Sequence, residues 1–168
     1  LLKMLRGIAE PDCGAVRRAD QLKVVVFDQH REQLDLETTL RRALCGKGDY
    51  VTYRDKPLHV AAWADRFLFN KDQLEKPLGT LSGGEQSRVL IARMMLSPAD
   101  VLLLDEPTND LDLNSLEVLE ESIAEFNGAL VLVTHDRYLM DRVCNRILAL
   151  DGKGNANFYA DLAQLEDR

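Results

Sequence analysis

The sequence has no long apolar run, and its longest uninterrupted apolar stretches, such as 129–133, contain about five residues. A helix needs about 20 predominantly apolar residues to cross a bilayer, so we expect no direct insertion into a membrane. Cysteines are scarce, scattered and odd in number: Cys13, Cys45 and Cys144. Together with the absence of a charged-then-apolar leader, this usage predicts a reducing, cytoplasmic location without a disulfide framework.

Positively charged residues are also fewer than negatively charged ones. The formal net charge is −7 at pH 7, and affinity for a nucleic-acid backbone depends on clustered Lys and Arg. We therefore expect no broad nucleic-acid-binding face, although a local basic spot is compatible with this charge. The 168 residues are 46% apolar and 29% charged, a composition that predicts one globular unit with a core of ordinary size.

Strand and helix patterns alternate along the second half of the chain. Short helices and strands in alternation are typical of βαβ units and a parallel sheet. Two earlier segments, 36–44 and 57–69, have helical spacing, and the second has Pro57 in its first turn. The expected strands are 23–29, 100–106, 129–135 and 146–152. Helices are expected at 84–95, before the second of these strands, at 113–126, between the second and third, and at 136–144, between the third and fourth. Residues 155–168 indicate one weak strand and a polar tail.

Polar residues follow three of the predicted strands. These strand ends are Asp28 and Gln29, Asp105 and Glu106, and Thr134 and His135. Because ligands bind beyond the carboxyl ends of strands in open α/β sheets, we expect the three ends to meet at one crevice.

Asp105 and Glu106 are neighbours along a strand, so their side chains point in opposite directions and can have different roles. The first can hold Mg²⁺ through its water shell, and the second can orient and partly deprotonate an attacking water. His135 could donate a hydrogen bond to a terminal phosphate. In a plainer interpretation, Glu106 only ends the strand and His135 only precedes the next helix.

The stretch from Ser82 to Glu85 predicts a helix start that could bind an anion. Ser82 and Glu85 have the spacing of a capping box. Capping does not explain the adjacent Gly83 and Gly84, since glycine is about 1 kcal/mol less favourable than alanine in a helix. Glycines let a phosphate approach the backbone closely, and a helix N-terminus attracts anions.

Three motifs together resemble the nucleotide-binding domain of ABC ATPases. "LSGGEQSR" resembles the signature, "VLLLDEPTNDLD" the Walker B motif with its D-loop, and "LVTHD" the switch histidine. "DEPTNDLD", the Glu after the glycine pair and "KPLHVAAWADRFLF" are similar to the ABC-F subfamily, most of all to the second domain of its Uup-type branch. The resemblance covers nearly the whole chain.

The resemblance implies a fold with a P-loop NTPase-like parallel sheet flanked by helices and an α-helical signature subdomain. The helical subdomain is expected at about 36–97, and the α/β core at 1–35 and 98–168. Residues 1–168 would then form a partial ABC ATPase domain, without its N-terminal strands and P-loop.

The resemblance also implies a role for each matching position. Gln29 would be the Q-loop residue, Glu106 the general base and His135 the switch histidine. Asp105 would be the Walker B carboxylate that binds Mg²⁺ mostly through water, together with Gln29. Asp112 would be the D-loop aspartate at the nucleotide.

Ser82, Gly83, Gly84 and Glu85 would form the signature turn at the nucleotide. Ser82 and Gly84 would contact the γ-phosphate of ATP that is bound to a different ABC domain. In this family two domains pack head to tail, so the implied partner is a second ABC domain, in the same chain or in a homodimer.

A Walker A motif is missing from the sequence. Such a motif needs Gly-x-x-x-x-Gly-Lys-Ser/Thr, whereas the two Gly-Lys pairs, 46–47 and 152–153, are each followed by Gly. The chain therefore looks like a domain truncated before that motif, and we expect weak or no ATP binding and no activity by this chain alone.

The expected function of the intact protein is ATP binding and hydrolysis with Mg²⁺, as an ABC-F-type ATPase. The family implies a large partner, either the ribosome or structured nucleic acid. Two alternatives remain open at this point: the ATP-binding subunit of a membrane transporter, and a non-catalytic remnant that acts through protein contacts.

Overall fold

The computed structural model of the chain describes residues 1–27, 34–109 and 111–166. Its helices are α1 (Leu2–Leu5), α2 (Leu40–Cys45), α3 (Val60–Asp65), α4 (Gly83–Leu96), α5 (Leu113–Ala124), α6 (Arg137–Val143) and α7 (Leu162–Glu166). Its strands are β1 (Val24–Phe27), β2 (Tyr50–Tyr53), β3 (Lys56–His59), β4 (Val101–Asp105), β5 (Ala129–Val133), β6 (Ile147–Leu150) and β7 (Ala156–Tyr159). Two 3₁₀ turns, Lys71–Gln73 and Leu78–Thr80, precede α4.

A parallel sheet in the order β1, β4, β5 forms the central layer. Its strands are short runs of Val, Leu and Phe, which suit a pleated surface covered on both faces. In the register of β4 and β5, Asp105 lies beside Val133, so the carboxyl ends of the two strands meet at one edge. The predicted α/β class with a parallel sheet is confirmed.

One hydrophobic core joins the sheet to the helices. It contains Phe27 and Leu104 of the sheet, Leu119 of α5, and Trp63 and Phe67 of the segment before α4. The rings of Trp63 and Phe67 lie 5.0 Å apart. Within the part of the chain that the structure describes, no helix is both long and apolar enough to span a membrane.

The segment 57–69 does not form one helix, so that prediction is wrong. Pro57 lies in β3, which pairs antiparallel with β2, and α3 begins only at Val60. Arg54 and Asp55 have φ of 51° and 60° and make the tight turn of this hairpin, a conformation that two-residue hairpin loops require. Proline is compatible with an edge strand, because its missing N–H then faces away from the ladder.

The expectation of a further parallel strand at 146–152 is also wrong in its pairing. β6 pairs antiparallel with β7 in a separate two-stranded sheet. Gly152 and Gly154, with φ of 70° and 96°, let the chain turn back between the two strands. The expected polar tail contains a short helix, α7.

Candidate functional site

The edge where β4 and β5 end holds three of the residues that the sequence singles out. Asp105 is the last residue of β4 and is exposed. Glu106 follows it and continues the ladder, because its N–H donates to the carbonyl of Val133 at 2.8 Å. His135 lies two residues beyond the end of β5. The parallel register therefore brings the carboxylates and the imidazole to one edge, as the alternation of strands and helices predicts.

Glu106 and His135 are in direct contact. Nε2 of His135 lies 3.4 Å from Oε1 of Glu106, and the backbone N–H of His135 donates to Oε2 of Glu106 at 3.3 Å. The imidazole is 99% exposed, whereas the Glu106 side chain is only 24% exposed. A mostly covered carboxylate that is held in place beside a solvent-facing imidazole can accept a proton from one side while the imidazole faces an incoming ligand.

The backbone of Glu106 adopts a rare conformation. Its φ is 46°, in the left-handed region that side chains other than glycine seldom adopt. Such residues carry strain of about 1–3 kcal/mol and cluster at functional sites.

The Ser82 turn starts α4 on the protein surface. The predicted capping box is present: Glu85 N–H donates to the Ser82 hydroxyl at 3.3 Å, and Ser82 N–H donates to Oε2 of Glu85 at 2.8 Å. Gln73 donates to the other Glu85 oxygen at 2.7 Å. The Ser82 hydroxyl accepts in the cap and still has its own hydrogen to donate, so capping and phosphate binding are compatible there.

The two glycines of this turn have different surroundings. A Cβ placed on Gly83 would meet nothing within 4 Å among the described residues, whereas a Cβ placed on Gly84 would overlap the carboxylate of Asp112. The close approach at Gly84 is therefore to the chain's own α5 start, and the open side of the turn is at Gly83. From the sequence alone, both glycines are predicted to let a phosphate approach the backbone.

Asp112 is the N-cap of α5. Its Oδ1 accepts the N–H of Ser115 at 2.7 Å, and hydrogen bonding by Ser115 holds the pKa of Asp112 below its ordinary value. The Ser115 hydroxyl donates to the carbonyl of Gly84 at 2.9 Å. The starts of α4 and α5 are thus joined through Asp112 and Ser115.

Sequence reasoning missed two residues of this junction, Ser115 and Arg88. Arg88 is not on the surface of α4 but is buried beside Asp112 and Ser115. No local pattern indicates this position, because a charged residue in a helix is ordinarily on the surface. Gln29 lies outside the described residues.

The residues present fit part of a Mg²⁺–ATP site. Among the described residues there is no group of three or more His, Cys, Asp or Glu that could enclose a metal ion. Mg²⁺ bound to nucleotide phosphates needs only one or two carboxylates and keeps several waters, which the exposed Asp105 can satisfy. The open turn at Gly83 suits a phosphate, because α4 is 14 residues long and its first N–H groups are free of intrahelical partners.

A protein-family model described as "ABC transporter" matches residues 1–109. The chain is 45% identical over 155 residues to the ATP-binding protein Uup of Caulobacter vibrioides, covering 92% of this chain and 26% of that protein. It is 40% identical to Uup of Escherichia coli, with coverage of 95% and 25%. It is 33% identical to the energy-dependent translational throttle protein EttA of Escherichia coli, with coverage of 95% and 29%.

Solved structures show the same fold at lower identity. An archaeal ribosome recycling factor in complex with a ribosomal stalk protein is 24% identical, with a TM-score of 0.60 over 94% of this chain and 30% of that one. An inward-facing ABC transporter of metal-chelate type is 24% identical, with a TM-score of 0.62 over 95% and 66%. The chain spans about a quarter of the length of the Uup proteins it matches. It belongs to the ABC transporter family of ATPase domains, and its relatives include the ABC-F proteins Uup and EttA.

Proposed function

We propose that the complete protein binds and hydrolyses ATP, and that this chain provides the hydrolytic edge and the signature turn. The observation that supports this most is the pairing of Glu106 with His135, 3.4 Å apart at the carboxyl edge of a parallel sheet. That edge is where ligands bind in sheets of this kind. Glu106 and His135 belong to the motifs that the ABC ATPase family shares.

In the proposed reaction a water attacks the γ-phosphorus of ATP. The bond from that phosphorus to the β–γ bridging oxygen breaks, and ADP and phosphate are released. Glu106 accepts a proton from the attacking water, and His135 donates a hydrogen bond to a γ-phosphate oxygen. Mg²⁺, held by the phosphates and through water by Asp105 and Gln29, would neutralise charge on the phosphates.

The signature turn acts on a nucleotide held by a second ABC domain. The Ser82 hydroxyl and the N–H groups of Gly83 and Gly84 would donate to its γ-phosphate. The exposure of Ser82 and the open space beside Gly83 support this role. The partner domain, in the same polypeptide or in a second copy, would supply the P-loop that residues 1–168 lack. From the resemblance to ABC ATPase domains we also propose that the chain divides into a helical part at about 36–97 and a core at 1–35 and 98–168.

The larger partner that we propose is the ribosome, with structured nucleic acid as the other possibility, in the cytoplasm. Support comes from the relative EttA, which is named as a translational throttle. The test is co-sedimentation of the complete protein with ribosomes, using Glu106→Gln to hold bound ATP. Nucleotide-dependent sedimentation with ribosomes supports the ribosome as the partner. Sedimentation with membranes and not with ribosomes would contradict this assignment.

The test of the catalytic proposal is ATP turnover in the complete protein carrying Glu106→Gln. Loss of the general base is expected to lower turnover by about 10² to 10⁴-fold, with ATP binding retained because Gln has nearly the same shape. Glu117→Gln is the matched control, since Glu117 is exposed on α5. Equal turnover in the two variants would remove Glu106 from the role of general base.

A further inference from the structure

Arg88 is an almost fully buried cation at the junction of α4 and α5. The residue is 7% exposed. Its Nη1 lies 3.7 Å from Oδ2 of Asp112 and 3.5 Å from the hydroxyl of Ser115. Its guanidinium carbon lies 5.5 Å from the centre of the Phe69 ring. Within the described ranges, the Nε–H of Arg88 has no hydrogen-bond partner.

Packing alone does not account for a cation in this position. A buried charge is unfavourable unless it is paired, and apolar residues of similar volume often replace buried ion pairs at no loss of stability. The neighbours of Arg88 along α4, Val89, Leu90 and Ile91, are buried and apolar. We therefore expect the charge of Arg88 to have a role other than filling the core. The carboxylate with which it forms an ion pair is that of Asp112.

The Asp112 carboxylate lies where the two helix starts touch. Its Oδ1 caps α5 through Ser115, while its Oδ2 faces both Arg88 and the close approach at Gly84. The Ser115 hydroxyl closes the ring by donating to the Gly84 carbonyl. The carboxylate of Asp112 therefore contacts both the buried Arg88 and the backbone at Gly84.

We propose that Arg88 is a positioning residue: through Asp112 it fixes the Ser82 turn against the start of α5, so that both reach the nucleotide as one unit. The inference rests on the proposed function, since it concerns ATP held by the partner domain. Arg88 lies behind the turn and Gly83 is its open side, so Arg88 acts through Asp112 rather than on the phosphate. A misplacement of about 1 Å can lower a rate by about 10²-fold.

The kinetic test uses the complete protein with Arg88→Met, which keeps the length and apolar character of the stem. Turnover is expected to fall by about tenfold or more, while KM for ATP stays within about twofold, because the P-loop of the partner domain holds most of the nucleotide. Arg88→Lys, which keeps the charge, is expected to recover most of the lost turnover. Arg93→Met is the matched control, since Arg93 is exposed on the same helix.

A folded Arg88→Met variant with turnover within about twofold of the wild type would overturn the proposal. Equal losses in Arg88→Met and Arg88→Lys would also overturn it, because they would mean that shape and not charge is required.

A second test needs no nucleotide, and so separates this proposal from the proposed function. Amide hydrogen exchange is compared in the complete protein for the starts of α4 and α5. Arg88→Met is expected to speed the exchange of residues 112–116 about tenfold, and Arg93→Met to leave it unchanged. Asp112→Asn keeps a good N-cap, so faster exchange at residues 83–88 in that variant would report loss of the ion pair alone.

Unchanged exchange at residues 83–88 in Asp112→Asn would overturn the inference even if Arg88→Met does not fold. If the variants alter exchange as expected but the wild-type protein shows no ATP turnover, the inference about Arg88 and Asp112 stands and the proposed ATPase function is wrong.

Discussion

At Glu106 the sequence predicts the position of the side chain but not the conformation of the backbone. The sequence predicts its place, because a strand that ends in two adjacent acids puts them on opposite sides of the chain. It does not predict the φ of 46°. A left-handed backbone at Glu106 depends on its hydrogen bond to β5 and on the following turn, where Asn109 N–H donates to the Glu106 carbonyl at 3.3 Å. Both contacts arise only when the sheet has formed.

His135→Ala is expected to separate activity from stability. The side chain is 99% exposed, so the free energy of unfolding should change by less than about 0.5 kcal/mol. The backbone N–H that donates to Glu106 remains in the variant. Turnover in the complete protein should fall by about 10² to 10³-fold, as for other lost donors to a developing charge. Thermal unfolding and ATP turnover measure the two effects, and a large loss of stability would contradict the described exposure.

Glu85 couples the signature turn to pH. The hydrogen bond from the Ser82 backbone lowers the pKa of Glu85 below its ordinary value of 4.5, and bonds from the Ser82 and Gln73 side chains add to this. Because the folded pKa is the lower one, the ionised carboxylate stabilises the fold fully above pH 4.5. That stability is lost as the pH falls through the folded pKa.

Glu85→Gln is expected to flatten this pH dependence. Glutamine also completes a capping box, so the variant loses the charge and keeps the hydrogen bond from the Ser82 N–H, while its amide nitrogen cannot accept the bond from Gln73. The free energy of unfolding of the two proteins should differ by about 1 kcal/mol near pH 7 and converge toward pH 3. Urea unfolding at several pH values measures the difference. A gap that stays constant with pH would mean that Glu85 ionises in the folded state as it does in the unfolded chain.

At the scale of elements, the junction of α4 and α5 explains the glycine pair. The sequence predicts an anion site at the start of α4, and the open space at Gly83 agrees with it. The reason for Gly84 is different, because its neighbour Asp112 lies 28 residues further along the chain. Contacts between elements this far apart depend on how helices pack on the sheet, and a local pattern holds no information about that packing.

Gly84→Ala and Gly83→Ala are expected to have opposite effects. The added methyl group at Gly84 meets the Asp112 carboxylate, and such overpacking costs about 1–3 kcal/mol. At Gly83 the methyl group meets open space, and alanine is neutral or stabilising by up to about 1 kcal/mol. Urea unfolding of the two variants measures this difference.

Combining Gly84→Ala with Asp112→Ser should recover part of the loss. Serine is shorter than aspartate and still caps α5, so it makes room for the methyl group. If Gly84→Ala were as stable as Gly83→Ala, the close approach of the two helix starts would be contradicted.

The elements that the sequence misassigned share a physical cause. The hairpin of β2 and β3 has positive φ at Arg54 and Asp55, which are not the glycine or asparagine residues that mark such turns. Its sequence therefore lacks the Asn-Gly or Asp-Gly pair that marks a two-residue hairpin, and the apolar spacing after Pro57 favours a helix. β6 has the apolar composition of a sheet strand, and only its partner β7 decides whether it pairs parallel or antiparallel.

At the scale of the whole molecule, the site is assembled from segments far apart in the chain. Glu106 and His135 meet at the sheet edge, while Gly84 and Asp112 meet where two helices start. The sequence pattern predicts the first meeting, because Glu106 and His135 each follow a strand that is clear from its apolar run. The pattern does not predict the second meeting, which depends on how α4 and α5 pack. It cannot predict Arg88, since a charged residue in a helix is ordinarily on the surface.

The proposed function requires the Ser82 turn to reach the γ-phosphate of a bound nucleotide. The most direct measurement is photocleavage of the complete protein after ADP and vanadate are trapped with Mg²⁺, because vanadate takes the place of the γ-phosphate and cleaves the backbone beside it under ultraviolet light. If the turn lies at the γ-phosphate, the backbone is cut within residues 82–84, and the cut is lost when nucleotide is omitted. Trapped vanadate that cleaves only other segments, with residues 82–84 intact, would contradict it.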